Sequence, residues 1–130
     1  MFDLQNYLKR PDALSMDQAY EIYSQLPFDQ AKTDNDFHEL WQDVIDAALA
    51  YVPIRVNWNE QTHEQRAAID TKRTSNHNSF IATLSALNRF TMNHYDIPNW
   101  LAELGDPATN RKRIGDFAGY VVLFGVLQGR

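Results

Sequence analysis

The sequence contains no cysteine. Disulfides and thiolate metal sites are therefore excluded, and a reducing cytoplasm is the compartment that such a chain suits. It also lacks any apolar run near the ~18 residues that a membrane-spanning helix needs. The longest, from Tyr120 to Leu127, reads as a buried core element. Basic charge is in deficit: 12 Lys and Arg face 17 Asp and Glu, a formal net charge of −5. Electrostatic affinity for nucleic acid comes from basic surface, so no nucleic-acid partner is expected. Lys72-Arg73 and Arg111-Lys112-Arg113 are short patches that read as solvated surface. The opening MFDLQNYLKRPD lacks the basic-then-apolar pattern of a signal peptide. No repeat or low-complexity stretch is evident. The expectation is a single helical domain over residues 1–130, cytoplasmic, without membrane, metal or cofactor.

What is there is helix. Apolar residues make up 44% of the chain, enough for a core. Phe2 to Leu8 reads as a short helix stopped by Pro11. Ser15 with Gln18 makes a capping box. Beyond it Met16, Ala19, Tyr20, Tyr23 and Leu26 share one face, until Pro27. A second helix starts near Thr33 or Asp34 and stops before Pro53, with Phe37, Leu40, Trp41, Val44, Ile45, Ala48 and Tyr51 as its core side. Pro53 to Glu60 reads as a connection or a brief extended piece. Thr62 and Gln65 cap a long central helix that runs to about His94, with a kink expected near Thr74 to Asn78, where helix propensity is poor. Pro98 to Leu104 makes a short helix closed by Gly105, and Asp106-Pro107 opens the last one. That last helix is apolar nearly all round, so it should be buried. Gly115, Ala118, Gly119, Val122, Gly125 and Val126 on one of its faces suggest that another backbone comes close. The expected architecture is an all-α bundle of five to six helices, the buried C-terminal helix packed against the long central one.

One polar seam stands out. On the central helix, Ile69, Phe80, Ile81, Leu84 and Leu87 form a core stripe, yet Arg66, Asp70, Arg73, His77 and Asn88 project to the same side. An amphipathic helix normally puts its charge opposite. Asp116, in the apolar half of the last helix, is the expected partner for one of these arginines. Buried charge is costly unless paired and hydrogen-bonded. Three readings stay open: a satisfied structural network, a helix that outruns the core, or the wall of a ligand or catalytic pocket.

Three short patterns resemble motifs of known families. Asp36, Glu39, Asp43 and Asp46 give D-x-x-E-x-x-x-D-x-x-D, which resembles the carboxylate helices of all-α nucleotide pyrophosphatases. Those set a second carboxylate helix opposite; here Glu64 and Asp70 are all the central helix offers, and a solvated acidic face is the plainer reading. Glu60-x-x-His63 matches half of a di-iron carboxylate motif, but Thr62 and Gln65 read better as a helix cap. Arg89 and His94 have the R-x4-H spacing that resembles HEPN-type ribonucleases, with Phe90 where a polar residue is usual. That resemblance implies a 2′-hydroxyl-activating site on one helix.

No glycine loop or nucleophile turn is present, and whether the chain is an enzyme stays open. The function expected first is a non-enzymatic interaction or regulatory protein, as a possible homodimer, with Trp100, Phe28 and Trp58 contributing an exposed apolar patch. The alternative is a small-ligand-binding protein or enzyme using Arg73, His77 and Asp116. The HEPN-like ribonuclease is third.

Overall fold

The computed structural model describes residues 14–58, 61–105 and 111–127. Among them are four α-helices and no strand: α1 (Met16–Tyr23), α2 (Asn35–Val56), α3 (His63–Tyr95) and α4 (Arg111–Val121), the last running on as a π-helix over Val122–Leu127. The all-α class holds; the count of five to six helices does not. The expected helix over Phe2 to Leu8 lies outside the described residues. The Pro98–Leu104 piece winds only as a 3-10 turn, Trp100–Leu104, capped by the Asn99 side chain on Ala102 N–H and ended by Gly105 at φ 85°.

Capping residues set the starts. Ser15 accepts from Gln18 N–H, Asp34 from Asp36 and Phe37 N–H, and Thr62 and Gln65 make a reciprocal box. On α1 the buried side is Ala19, Ile22 and Tyr23 followed by Leu26, not the expected stripe, since Met16 and Tyr20 face outward. Tyr23, Phe28, Phe37 and Trp41 make an aromatic cluster, edge-to-face except for the tilted Tyr23–Phe28 pair, that joins α1 to α2.

The expected stop before Pro53 also fails. α2 continues to Val56 with Pro53 inside it. Proline in a helix interior costs about 3 kcal/mol, through the lost N–H and its clash with the carbonyl four residues back. Two things offset it here. Tyr51 and Val52 are fully buried, so stopping would strip the core. Asn76 of α3 donates to the Ala50 carbonyl, 3.3 Å away, in the turn that the ring disturbs.

α3 is unbroken over 33 residues, about 50 Å at helical rise. The expected break near Thr74 to Asn78 is absent, because the asparagines there bond outward rather than to their own backbone. Asn76 serves α2, and Asn78 Oδ1 accepts from Arg111. No residue of its first half is fully buried; His77 is the first that is, followed by Phe80, Leu84, Leu87, Asn88 and Thr91. α2 and α3 run antiparallel, since Asp34 meets Tyr95 at one end and Tyr51 meets His77 towards the other. α4 is buried throughout from Ile114 to Phe124, as expected. It rests chiefly on α2 and not, as expected, on the long α3, because Asp116 pairs with Arg55 of α2. The acidic face of α2, with Asp36, Glu39, Asp43 and Asp46, is exposed.

The Tyr95 hydroxyl donates to Asp34 Oδ2 at 2.6 Å, joining the start of α2 to the end of α3. That bond holds the Asp34 carboxyl below its usual 3.8 against a smaller opposing effect of burial, and lifts the Tyr95 phenol from 10 to about 12. The tyrosine's contribution to stability is therefore complete below pH 10 and is lost as pH rises through about 12. The aspartate's is complete above 3.8 and is lost as pH falls through its lowered value. Absorbance titration should find one phenol at about 12 that disappears in Tyr95→Phe. A phenol that ionises at its ordinary value would show the bond is not made.

Candidate functional site

The end of α2, the middle of α3 and the start of α4 meet around an open cavity of about 520 Å³. Its lining is Tyr51 and Arg55 from α2, Arg73, Thr74 and His77 from α3, and Arg111 and Lys112 from α4.

Arg55 is the best fixed of the cations. Its Nη2 donates to Asp116 Oδ1 at 2.8 Å and to the Lys112 carbonyl at 3.2 Å, and its Nη1 to the Tyr51 hydroxyl at 3.2 Å. Asp116 is 1% exposed, and its second oxygen accepts from Leu14 N–H at 3.0 Å. Gly115 makes room for this arrangement. A Cβ there would stand 2.6 Å from Arg55 Nη1 and 3.0 Å from the Tyr51 hydroxyl. What comes close at this glycine is a guanidinium and a phenol, where the sequence suggested a backbone.

Arg73 is held differently. Its Nη2 donates to Asp70 at 3.2 Å, and its guanidinium lies 4.3 Å from the centre of the Trp58 ring. Its Nε is buried and has no partner. Arg66 also stands by Trp58, donating to the Trp58 carbonyl at 2.9 Å. Both residues of the Asp70–Arg73 pair are substantially exposed, so it adds little to stability.

His77 is 4% exposed and packs edge-on to Tyr51. Its Nε2 lies 3.0 Å from the Arg111 carbonyl oxygen. A carbonyl oxygen only accepts, so Nε2 carries the hydrogen. Nδ1 is buried and has no partner. Burial pushes the ring below its ordinary 6.5; the bond to Arg111 opposes this, and the charges of Arg111, Arg55 and Arg73 add to it. The neutral ring is thus the resting form. Its contribution to stability is complete above 6.5 and is lost as pH falls through the lowered value.

The seam is therefore divided. Arg73 and His77 share the cavity, whereas Arg66 and Asp70 lie outside its lining, along the part of α3 that outruns the core. Asp116 pairs with Arg55 of α2 and not with an arginine of α3. Sequence reasoning missed Arg55, because Pro53 was read as a helix end. The signal was present: Val44, Ala48, Tyr51 and Arg55 follow at helical spacing on the core side. Arg111 and Lys112, read as solvated surface, belong to the lining.

Arg89 and His94 are both exposed and sit about 140° apart around α3. His94 stacks on Phe90 and donates to its carbonyl. The expected apolar patch is not formed. Trp100 is buried with its Nε1–H on Thr91, Phe28 is half-buried in the aromatic cluster, and Trp58 lies half-buried beneath the arginines. Asn88 is spent on Asn99 and Leu101. Among the described residues no group of three or more His, Asp or Glu could hold a metal ion, and no helix is long and apolar enough to cross a membrane. Comparisons with protein-family models, with curated proteins and with solved structures each give no match.

Breaking a buried ion pair from one side strands a charge at about 3–5 kcal/mol. Arg55 keeps 14% exposure, which puts Asp116→Asn and Arg55→Met near the lower end, about 3 kcal/mol each. The double variant should lose about 1–3 kcal/mol less than their sum. Arg73→Met, at a half-exposed pair, should lose about 1 kcal/mol or less. Denaturant melts of the four variants check this; additive losses would mean that Arg55 and Asp116 do not interact.

Proposed function

We propose that the protein is a non-enzymatic binder of a small oxyanion, a phosphate or a phosphate-bearing small molecule, held in the cavity between α2, α3 and α4. One observation carries the reading. In a chain of net charge −5, Arg55, Arg73, Arg111 and Lys112 converge from three helices on one cavity, and no carboxylate is among its described lining residues. Cations so gathered repel one another. Asp116 and Asp70 pair with Arg55 and Arg73 from outside the lining.

The chemistry suits an oxyanion. Guanidinium groups present paired N–H donors that match phosphate geometry. Arg73 is pre-oriented by Trp58 on one face. A cavity of about 520 Å³ is of the size that holds small metabolites. Binding rather than turnover is favoured because the lining offers cations and one histidine, with no carboxylate to pair with that histidine in acid–base work.

The test is a thermal shift with inorganic phosphate and sulfate, against chloride of equal ionic strength. At a concentration about 100 times Kd, linkage stabilises by ~2.7 kcal/mol, a rise in Tm of roughly 5–10 °C. The double variant Arg73→Gln, Arg111→Gln, at half-exposed and exposed positions, should fold and should lose most of that rise. No rise with either anion in the unaltered protein would end the reading.

A further inference from the structure

The cationic cavity has a neighbour. The next face of α3 carries a second, more open depression of about 630 Å³, and Thr74 lines both. Arg111 joins them as well: it lines the first, and its Nη2 donates at 3.3 Å to Asn78 Oδ1, which lines the second. Arg55 and Arg73 each have an aspartate beside them. The Arg111 guanidinium has, among the described residues, only this neutral amide. A cation without a carboxylate thus stands where the two depressions meet.

Thr71, Thr74, Ser75, Asn78 and Ser79 line the second depression, with Asp70 and Ala82 at its ends. Serine, threonine and asparagine are poorer helix formers than alanine, lysine or glutamate, yet here they crowd one exposed face. A serine or threonine inside a helix commonly turns its hydroxyl back onto its own backbone. Thr83 and Thr91 of this helix do so, on the Phe80 and Asn88 carbonyls. Thr71, Thr74, Ser75 and Ser79 do not; all four are exposed, and their hydroxyls have no partner among the described residues.

Each of these hydroxyls can both donate and accept, and the Asn78 amide still has its N–H donors. Such a strip suits a ligand body rich in hydroxyls. It gives an acyl chain little to pack on. A second anionic group would meet Asp70 there and no cation. From Thr74 to Asn78 the helix rises about 6 Å, the span of one monosaccharide. We propose that the bound oxyanion is the phosphate of a phosphorylated sugar, with the phosphate in the cationic cavity and the sugar hydroxyls on the strip from Thr71 to Ser79. No covalent bond is made or broken.

This inference rests on the oxyanion-binding reading, and one experiment separates the two. Kd is measured by calorimetry for methyl phosphate, a monoester without hydroxyls, and for glucose 6-phosphate and ribose 5-phosphate. At least one sugar phosphate should bind about tenfold tighter than methyl phosphate, as two or three added hydrogen bonds would give. The triple variant Thr71→Ala, Ser75→Ala, Ser79→Ala spares Thr74 and Asn78 and raises helix propensity at exposed positions, so it should fold. In it the gap should close to within about twofold, with the Kd for methyl phosphate unchanged. If neither sugar phosphate outbinds methyl phosphate in the unaltered protein, the sugar is overturned and oxyanion binding stands. If none of the three binds, both readings fall. A gap that persists in the triple variant would overturn the role of the strip, and so would a variant that loses methyl phosphate along with the sugars.

Discussion

The ion pair between Arg55 and Asp116 is the constraint on which the site depends. Asp116 lies in the most deeply buried helix, where a lone carboxylate would be intolerable. Its two oxygens reach two other parts of the chain, Arg55 at the end of α2 and the backbone of Leu14 just before α1. Tyr120, one turn further along α4, donates to the Leu14 carbonyl at 2.6 Å and completes the clasp. Gly115 leaves the guanidinium the room it needs. The carboxylate thus fixes α1, α2 and α4 together and holds one wall of the cationic cavity.

The other wall is fixed by stacking rather than by burial. Arg73 is oriented by the Trp58 ring and tied to an exposed aspartate. This is a softer arrangement, which leaves the cation partly hydrated. His77 lies between the two walls. Its bond to Arg111 fixes the tautomer of the ring and ties α3 to α4. The cavity is therefore built from one rigid cation, one adjustable cation and one histidine of fixed tautomer.

Local chemistry in the sequence foretold the helices well. Ser15, Asp34 and Thr62 with Gln65 cap them as their residue types suggest, and the apolar character of the last helix matches its burial. Arg73, His77 and Asp116 were legible as polar groups on apolar faces. What was not legible was the partner. Arg55 lies 61 residues from Asp116, and a proline between Tyr51 and Arg55 argued that no helix carried it there. Proline's local penalty was outweighed by the tertiary packing of Tyr51 and Val52. For the same reason Trp100, in a segment with linker-like composition, proved buried through a hydrogen bond that no periodicity reveals.

The clasp on Leu14 has a kinetic side. Its hydrogen bonds join residues 102 and 106 positions apart. Contacts of such separation are made only after a large loss of chain entropy, whereas the α2–α3 hairpin closes through a short connection. On this ground the clasp is expected to close after the hairpin. Interactions absent from the folding transition state govern how slowly the native state opens. Weakening Asp116 or Tyr120 is then expected to speed opening more than it slows folding, and so to shorten the lifetime of the cavity.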